Sequence, residues 1–126
     1  MVEKKNIILE LGLEFALSII QYCDLLENQK RYVIANQLLK SGTSIGANIH
    51  EAQSAESVLD FVHKLKIADK EAIETEYWLK LCRMSKHFPD TSNIEEKLEE
   101  IRRLLNAIIS KTKKKIALQE REKMDK

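Results

Sequence analysis

Polar residues recur at intervals of three or four along the first stretch of the chain, from Asn6 to Glu27. This is the spacing of an α-helix, which makes one turn in about 3.6 residues. The positions between them are mostly apolar, so the polar stripe is the narrow one; the apolar set includes Ile8, Leu9, Leu11, Leu13, Phe15, Leu17, Ile19 and Ile20. A helix on the surface of a monomer needs an apolar stripe of only about 100°. We therefore expect this helix to bury two sides, one in its own bundle and one against something else, for which self-association is the simplest candidate.

A second helix is predicted from Arg31 or Tyr32 to about Ala52, after a short connection at residues 28–30. Its apolar face consists of Ile34, Leu38, Ile45, Ile49 and Ala52. Gly42 and Gly46 lie four residues apart on this face, which predicts the close approach of a neighbouring helix, with a kink or a helix break as the alternative. A phosphate-binding loop would need a preceding strand and a Gly-Lys-Ser/Thr ending, and the stretch around these glycines has neither.

A third helix is predicted to begin at a capping box, because Ser57 is followed three residues later by Asp60. Its seam alternates steps of four and three, as in a heptad pattern, through Phe61, Leu65, Ala68, Ala72, Thr75, Leu79 and Cys82. Two further apolar patches flank the seam, one formed by Ile67, Trp78 and Leu81 and the other by Ile73, Tyr77 and Met84. This helix also carries more apolar surface than a single bundle seam requires.

A fourth helix follows a break in the pattern at residues 87–91. Ser92 and Glu95 predict a capping box at its start, and its seam is formed by Ile94, Leu98, Ile101, Leu105 and Ile108. Residues 119–126 are nearly all charged or polar and are predicted to form a frayed, charged C-terminal tail. Four helices with short connections pack most simply as an antiparallel up-down-up-down bundle. The expected fold class is therefore all-α, a four-helix bundle over residues 1–118.

Composition narrows the class of protein without indicating an activity. The 126 residues suit one domain, and a chain that is 44% hydrophobic is not typical of disordered proteins. No apolar run approaches the roughly 20 residues that cross a bilayer, and no signal-peptide pattern is present, so a cytoplasmic location without membrane contact is predicted. Cys23 and Cys82 each lie beside apolar residues in a helical pattern and are interpreted as packed thiols rather than metal ligands or a disulfide.

Two residue spacings resemble those of metal-binding or catalytic motifs, but neither motif is complete. Asp60 and His63 have the acid-x-x-His spacing of di-iron bundles, which need a second such motif, and the chain has none. Arg83 and His87 are spaced almost as in the HEPN ribonucleases, although a basic helix C-terminus is the favoured interpretation. We predict no enzymatic activity and no catalytic, cofactor-binding or metal-binding residue. A degenerate ribonuclease is the alternative, and its activity would disappear in His87→Ala.

The net charge is +1, from 21 basic and 20 acidic residues, so attraction of the whole molecule to nucleic acid is weak. Any binding would need a local basic patch. Basic residues interleaved with glutamates are typical of solvated surface, but in a ring of subunits even a modest patch is multiplied by the number of copies. The candidate nucleic-acid-binding residues are Lys64, Lys66, Lys70, Lys80, Arg83, Lys86, Arg102, Arg103, Lys111, Lys113 and Lys114.

Two stretches are very similar to the signatures of one bacterial family. The first runs from Ser41 to Ala52 and reads SGTSIGANIHEA; the second lies in the third helix and includes Asp60-Phe61, Lys70-Glu71-Ala72 and Tyr77-Trp78-Leu79. Over about residues 6–115, the chain resembles the four-helix-bundle proteins first noticed as open reading frames in intervening sequences of 23S ribosomal RNA genes.

The resemblance implies a short antiparallel bundle that assembles as a homopentamer. Related proteins are accessory factors of diversity-generating retroelements, in which a basic pentameric barrel binds nucleic acid and the reverse transcriptase. No catalytic residues are associated with the family. Asn48, Glu51, Glu71 and Glu74 match signature positions and are interpreted as structural or inter-subunit polar contacts. The chain departs from the retroelement proteins in one respect, because they are strongly basic and it is nearly neutral.

The predicted function is that of a non-enzymatic, oligomeric helical-bundle protein, an RNA or ribonucleoprotein accessory factor without a cofactor. Its expected partners are further copies of itself and either RNA or an RNA-binding protein. The resemblance implies an assembly of five copies. The alternative is a protein-binding adaptor or scaffold bundle with no nucleic-acid role. Salt-dependent retention of RNA would favour the first, because phosphate contacts release counterions.

Overall fold

The computed structural model describes residues 6–125, and over that range the chain forms four helices and no strand. The helices are α1 (Ile7–Asn28), α2 (Tyr32–Ala52), α3 (Val58–Met84) and α4 (Ser92–Met124). Each begins within about two residues of the predicted start. Residues 1–5 of the predicted bundle and Lys126 of the predicted tail lie outside the described residues.

Consecutive helices pack against each other, and α4 also packs against α1. The first half of α1 faces the second half of α2, since Gly12 lies against Gly46. Near the other end of the pair, the Cys23 thiol donates to the carbonyl of Ala35 across 3.4 Å. The two helices are therefore antiparallel, and ion pairs described below show the same for α3 and α4. This is the predicted up-down-up-down order.

The predicted seams form the core, with small differences at their ends. The middle of the α3 seam, from Leu65 to Cys82, is buried as predicted. At its start Val62 is buried, whereas Phe61 is half-buried and packs against the core. In α4, Ile109 is buried and Ile108 half-buried. Two adjacent apolar residues flank the seam at each of these places, so the spacing alone does not decide which of them faces inward.

One polar pair lies in the middle of this core. Thr75 Oγ1 is 3.0 Å from Ser41 Oγ and 2.8 Å from the carbonyl oxygen of Glu71, and both hydroxyl side chains are buried. Each hydroxyl has a single proton. If Thr75 donates to the Glu71 carbonyl, Ser41 can donate to Thr75, and neither hydroxyl is left unpaired. The pair connects α2 to α3 at a defined register.

One half of the capping box predicted at the start of α3 is confirmed. The Ser57 hydroxyl accepts from the Asp60 amide at 3.0 Å, as predicted. The Asp60 carboxylate, however, accepts from the amide of Glu56 at 3.1 Å instead of returning to Ser57. The carboxylate therefore holds the preceding loop rather than closing the box.

The capping box predicted at Ser92 is wrong, although the helix begins at the predicted place. The helix begins at Ser92, and Thr91 is the N-cap residue. The Thr91 hydroxyl donates to the Glu95 carboxylate at 2.7 Å, while the Ser92 hydroxyl donates to Asp90 at 2.6 Å. The Thr91 side chain makes no hydrogen bond to a backbone amide of the first turn, so its bond to Glu95 joins two side chains and forms no capping box.

The connections between helices are held by specific contacts. After α1, Lys30 adopts a left-handed conformation (φ 62°), and the amides of Lys30 and Arg31 donate to the carbonyls of Glu27 and Leu26. This is a Schellman helix end. Phe88 lies in the connection between α3 and α4, and the guanidinium of Arg31 lies 3.8 Å from the centre of its ring. The first connection thereby contacts the third.

The last helix is longer than predicted. It continues to Met124, past residue 118 where the frayed tail was expected to begin. Residues 117–124 are nearly all good helix formers, which explains the continuation. Every residue from Ala117 to Asp125 is exposed, so this end of α4 is helical without packing on the bundle. Within residues 6–125, no helix combines the length and apolar character that crossing a membrane requires.

Helices α1 and α2 approach each other closely at two glycines of α2, Gly42 and Gly46. A methyl group added to Gly46 would lie 2.9 Å from the carbonyl oxygen of Gly12, and one added to Gly42 would lie 2.8 Å from two side-chain carbons of Ile19. The predicted close approach is therefore confirmed, and α2 is continuous through both glycines.

Gly46→Ala is expected to lower the free energy of unfolding by about 1–3 kcal/mol, because the methyl group must push two backbones apart. Alanine is the better helix former by about 1 kcal/mol, so propensity alone predicts the opposite sign. Urea denaturation followed by circular dichroism measures the change. Ala47→Gly, at the adjacent exposed position, is the control for backbone propensity. A stabilised Gly46→Ala protein would contradict the close contact.

Candidate subunit and nucleic-acid surfaces

The outer side of α1 is an uncovered apolar face. Leu13, Leu17 and Ile20 are 65%, 55% and 42% exposed and follow one another at steps of four and three. On the opposite side of the helix, Phe15 and Ile19 are buried in the core. The prediction that α1 carries two apolar sides is confirmed for the single chain. What covers the outer side is a separate question.

This face borders a groove between α1 and α2. The contact of Gly12 with Gly46 forms its floor. The groove encloses about 670 Å³ and is lined by Leu9, Leu13, Ala16, Thr43 and Ala47, with Glu10, His50 and Glu51 at its edges. Because glycines bring the helices so close, the flanking side chains surround the groove without filling it. The result is an apolar depression with a polar edge.

Helix α3 carries a second uncovered patch. Ile73, Tyr77 and Met84 are exposed on one side, while the predicted companion patch of Ile67, Trp78 and Leu81 is half-buried. Tyr77 and Trp78 pack edge to face, with ring centroids 5.1 Å apart. The buried Trp78 Nε1 has no hydrogen-bond acceptor within residues 6–125. The surplus of apolar surface predicted for α3 is thus present.

The eleven predicted basic residues fall into two sets. Four of them form ion pairs with carboxylates of the same chain, at N–O distances of 3.0–3.5 Å: Lys64 with Glu51, Arg83 with Glu95, Arg102 with Asp69 and Glu76, and Arg103 with Glu99. Charges already paired in this way contribute less to attraction of a phosphate. These four residues are weaker candidates for nucleic-acid contact than the sequence suggested.

Arg102 is the most strongly held of the four. Its Nε lies 3.0 Å from Asp69 and its Nη1 lies 3.2 Å from Glu76, so it links α4 to α3. Asn106, one turn further along α4, also donates to the Asp69 carboxylate at 3.2 Å. The hydrogen bond to Asp69 raises the pKa of Arg102 above its ordinary value. This network is a structural connection between helices.

The other seven residues have no carboxylate within ion-pair distance among residues 6–125: Lys66, Lys70, Lys80, Lys86, Lys111, Lys113 and Lys114. The last three belong to a run that Lys115 completes. Lys111, Lys114 and Lys115 lie at steps of three and one, which places them on one side of α4, and Arg121 follows on the same side. The candidate list omitted Lys115 and Arg121, although their helical spacing could have identified them.

The four polar signature residues have contacts within the chain. Asn48 donates to the carbonyl of Ser44 at 2.8 Å, so its amide satisfies a backbone group of its own helix. Glu51 pairs with Lys64. Burial and the neighbouring Glu74 carboxylate raise the pKa of Glu71 above its ordinary value. An inter-subunit role for these residues stays a prediction.

The other residues considered for metal binding or catalysis are either buried or placed on different structural elements. Cys23 and Cys82 are both buried, and burial raises the pKa of Cys23 to about 12. Helix α3 ends at Met84, so His87 lies beyond it in a turn with φ 66°. Arg83 is directed to Glu95 at 3.2 Å. Among residues 6–125, no three or more His, Cys, Asp or Glu side chains cluster as metal ligands would.

The helix order and the signature residues in α2 and α3 match a known family. A family model described as 23S rRNA-intervening sequence protein matches residues 4–107. The chain belongs to the 23S rRNA-intervening sequence protein family. A search of curated proteins found no match.

A solved structure agrees with this family assignment. It is the crystal structure of a protein of unknown function from the S23 ribosomal protein family of Bacteroides thetaiotaomicron, which is 46% identical to this chain with a TM-score of 0.78. The match covers 97% of that protein but 81% of this chain, so about a fifth of this chain has no counterpart there. The family match itself ends at residue 107, inside α4.

Glu71→Gln is expected to reduce the loss of stability on raising the pH from 4 to 8. A carboxyl group whose pKa is raised by folding contributes stability below its ordinary pKa, and this contribution is lost as the pH rises through the folded-state pKa. Glutamine at this position removes that part of the pH dependence. Urea unfolding at both pH values measures it, with the exposed Glu100→Gln as control. Equal pH dependence in the two variants would contradict the shifted pKa of Glu71.

Proposed function

We propose that this protein is a non-enzymatic homo-oligomer of helical bundles, assembled as a pentamer in the cytoplasm, that serves as an RNA or ribonucleoprotein accessory factor. The uncovered apolar face of α1 carries the proposal. Monomeric proteins rarely expose contiguous apolar patches larger than a few hundred Å². A second copy of the chain carries the same apolar face, so two copies can cover each other. The number five comes from the resemblance to pentameric relatives.

The RNA part of the proposal rests on the lysines that have no ion-pair partner among residues 6–125. A single copy has a net charge of only +1. In a pentamer each basic patch is present five times on one particle, so weak contacts to one long polyanion reinforce each other. The family's link to ribosomal RNA genes supports the same class of partner.

A protein-binding adaptor is the second candidate, and the groove between α1 and α2 favours it. The groove is apolar with charged residues at its edge, which is the composition of many helix-binding grooves. A partner protein would then cover the face of α1 in place of a second copy. Binding of this kind would be insensitive to salt, whereas binding to RNA would weaken steeply.

Native mass spectrometry of protein purified without nuclease tests the main proposal. The expected result is a particle of five chains, each of 14.6 kDa, with additional mass that ribonuclease removes. A monomer at micromolar concentration would overturn the assembly. A pentamer without bound RNA, before and after incubation with RNA at low salt, would overturn the RNA part and favour the adaptor.

Leu17→Glu and Leu118→Glu locate the contact surface. The two leucines are 55% and 56% exposed, so the substitutions are matched in chemistry and accessibility. Leu17→Glu is expected to shift the particle to smaller species, because a carboxylate would be buried in the interface. Leu118→Glu is expected to leave the assembly unchanged. The same subunit number for both variants would exclude the α1 face as the contact.

A further inference from the structure

The charge of this chain is divided unequally along its length. The family-matched region, residues 4–107, contains fourteen basic and sixteen acidic residues and has a net charge of −2. Residues 108–124, which we call the α4 extension, contain six basic and two acidic residues and have a net charge of +4. The nearly neutral whole is therefore a slightly acidic bundle joined to a basic helix end.

The basic side chains of the α4 extension are free to make contacts outside the chain. Lys111, Lys113, Lys114 and Lys115 are all exposed. None of them has a carboxylate within ion-pair distance among residues 6–125, in contrast to Arg83, Arg102 and Arg103 in the bundle. Their positive charge is consequently not neutralised by any residue of the range 6–125.

The arrangement of these charges forms a stripe. Lys111, Lys114, Lys115 and Arg121 lie on one side of the helix, with the exposed Leu118 between them. At about 1.5 Å per residue, the stripe from Lys111 to Arg121 is roughly 15 Å long. Helix α4 is continuous over this length, so the charges are held in a row on a rigid element.

We infer that the α4 extension is the surface that binds the phosphate backbone of nucleic acid. The inference rests on the proposed RNA-binding function and assigns its site. A row of unneutralised lysines on a rigid helix attracts consecutive phosphates, and each contact releases condensed counterions. The bundle, which is net acidic, holds the subunits together, while the α4 extensions of the assembled copies contact one nucleic-acid chain.

The composition of the stripe argues for a phosphate backbone over a protein or a membrane. Protein interfaces are depleted in lysine and rely on aromatic, methionine and arginine residues at their centre. A membrane-surface helix needs a broad apolar face opposite its basic side. Opposite this stripe, Ile116 packs against the bundle, and Gln119 and Lys123 follow it at the exposed end. Neither requirement is met.

Two quadruple variants of the full chain test the assignment. One replaces Lys111, Lys113, Lys114 and Lys115 with glutamine; the other replaces Lys66, Lys70, Lys80 and Lys86, which are equally exposed and unpaired bundle lysines. Both change the net charge from +1 to −3, and glutamine has a helix propensity close to that of lysine. Helicity and native mass confirm that each variant folds and assembles as the parent does.

Fluorescence anisotropy with a labelled RNA hairpin at several salt concentrations provides the measurement. The α4-extension variant is expected to bind at least about tenfold more weakly and to lower the slope of log K against log salt by about 2–3, since each lost phosphate contact removes about 0.7–0.9 from it. The bundle variant is expected to lose less than about threefold in affinity, as the loss of non-contacting charges affects only the general field.

Any other outcome contradicts either the assignment of the site or the proposed RNA-binding function. If the α4-extension variant binds like the parent, or if both variants lose affinity equally, the assignment of the site is wrong and RNA binding by the protein stands. If the unmodified protein does not bind the hairpin even at low salt, the proposed RNA-binding function fails and the assignment fails with it.

Discussion

The backbone contact between α1 and α2 at Gly12 and Gly46 is the constraint on which the outer surface depends. Helices normally pack with their axes about 8–10 Å apart, because side chains separate them. Two facing glycines remove that spacer, and an added methyl group would lie 2.9 Å from a carbonyl oxygen. Residues beside the contact, such as Leu13 and Ala47, line an open groove. The close packing of this helix pair thus lies beneath an open groove that borders the uncovered apolar face of α1.

A second constraint is the pairing of oppositely charged side chains between neighbouring helices. Arg102 is neutralised by Asp69 and Glu76 between α3 and α4, so its charge is used inside the bundle. No comparable helix faces the end of α4, where every residue after Ile116 is exposed up to residue 125. The same chain therefore combines a slightly acidic bundle with a basic helix end. The net charge of the whole chain conceals this division.

The start of α4 shows why local prediction reached the helix but missed its cap. Ser92 precedes Glu95 by the three residues of a capping box, whereas the adjacent Thr91 precedes it by four. The helix instead begins after Thr91, which is buried and donates to the Glu95 side chain without capping a backbone amide. The frayed tail was expected because polar residues do not pack, yet a helix of good helix formers can continue from a packed segment without burying a side chain.

The sequence by itself determined the four helices, their core seams and the close approach at Gly42 and Gly46, because these follow from spacing within one helix. It also revealed surplus apolar residues on α1 and α3. Only the tertiary structure decided which of those residues stay exposed and which basic residues are neutralised. Asp69 and Arg102 are 33 positions apart and meet through the rotation of α3 against α4. Such rotations are set by the packing of the whole core, so no local spacing can specify which charges meet and which remain free.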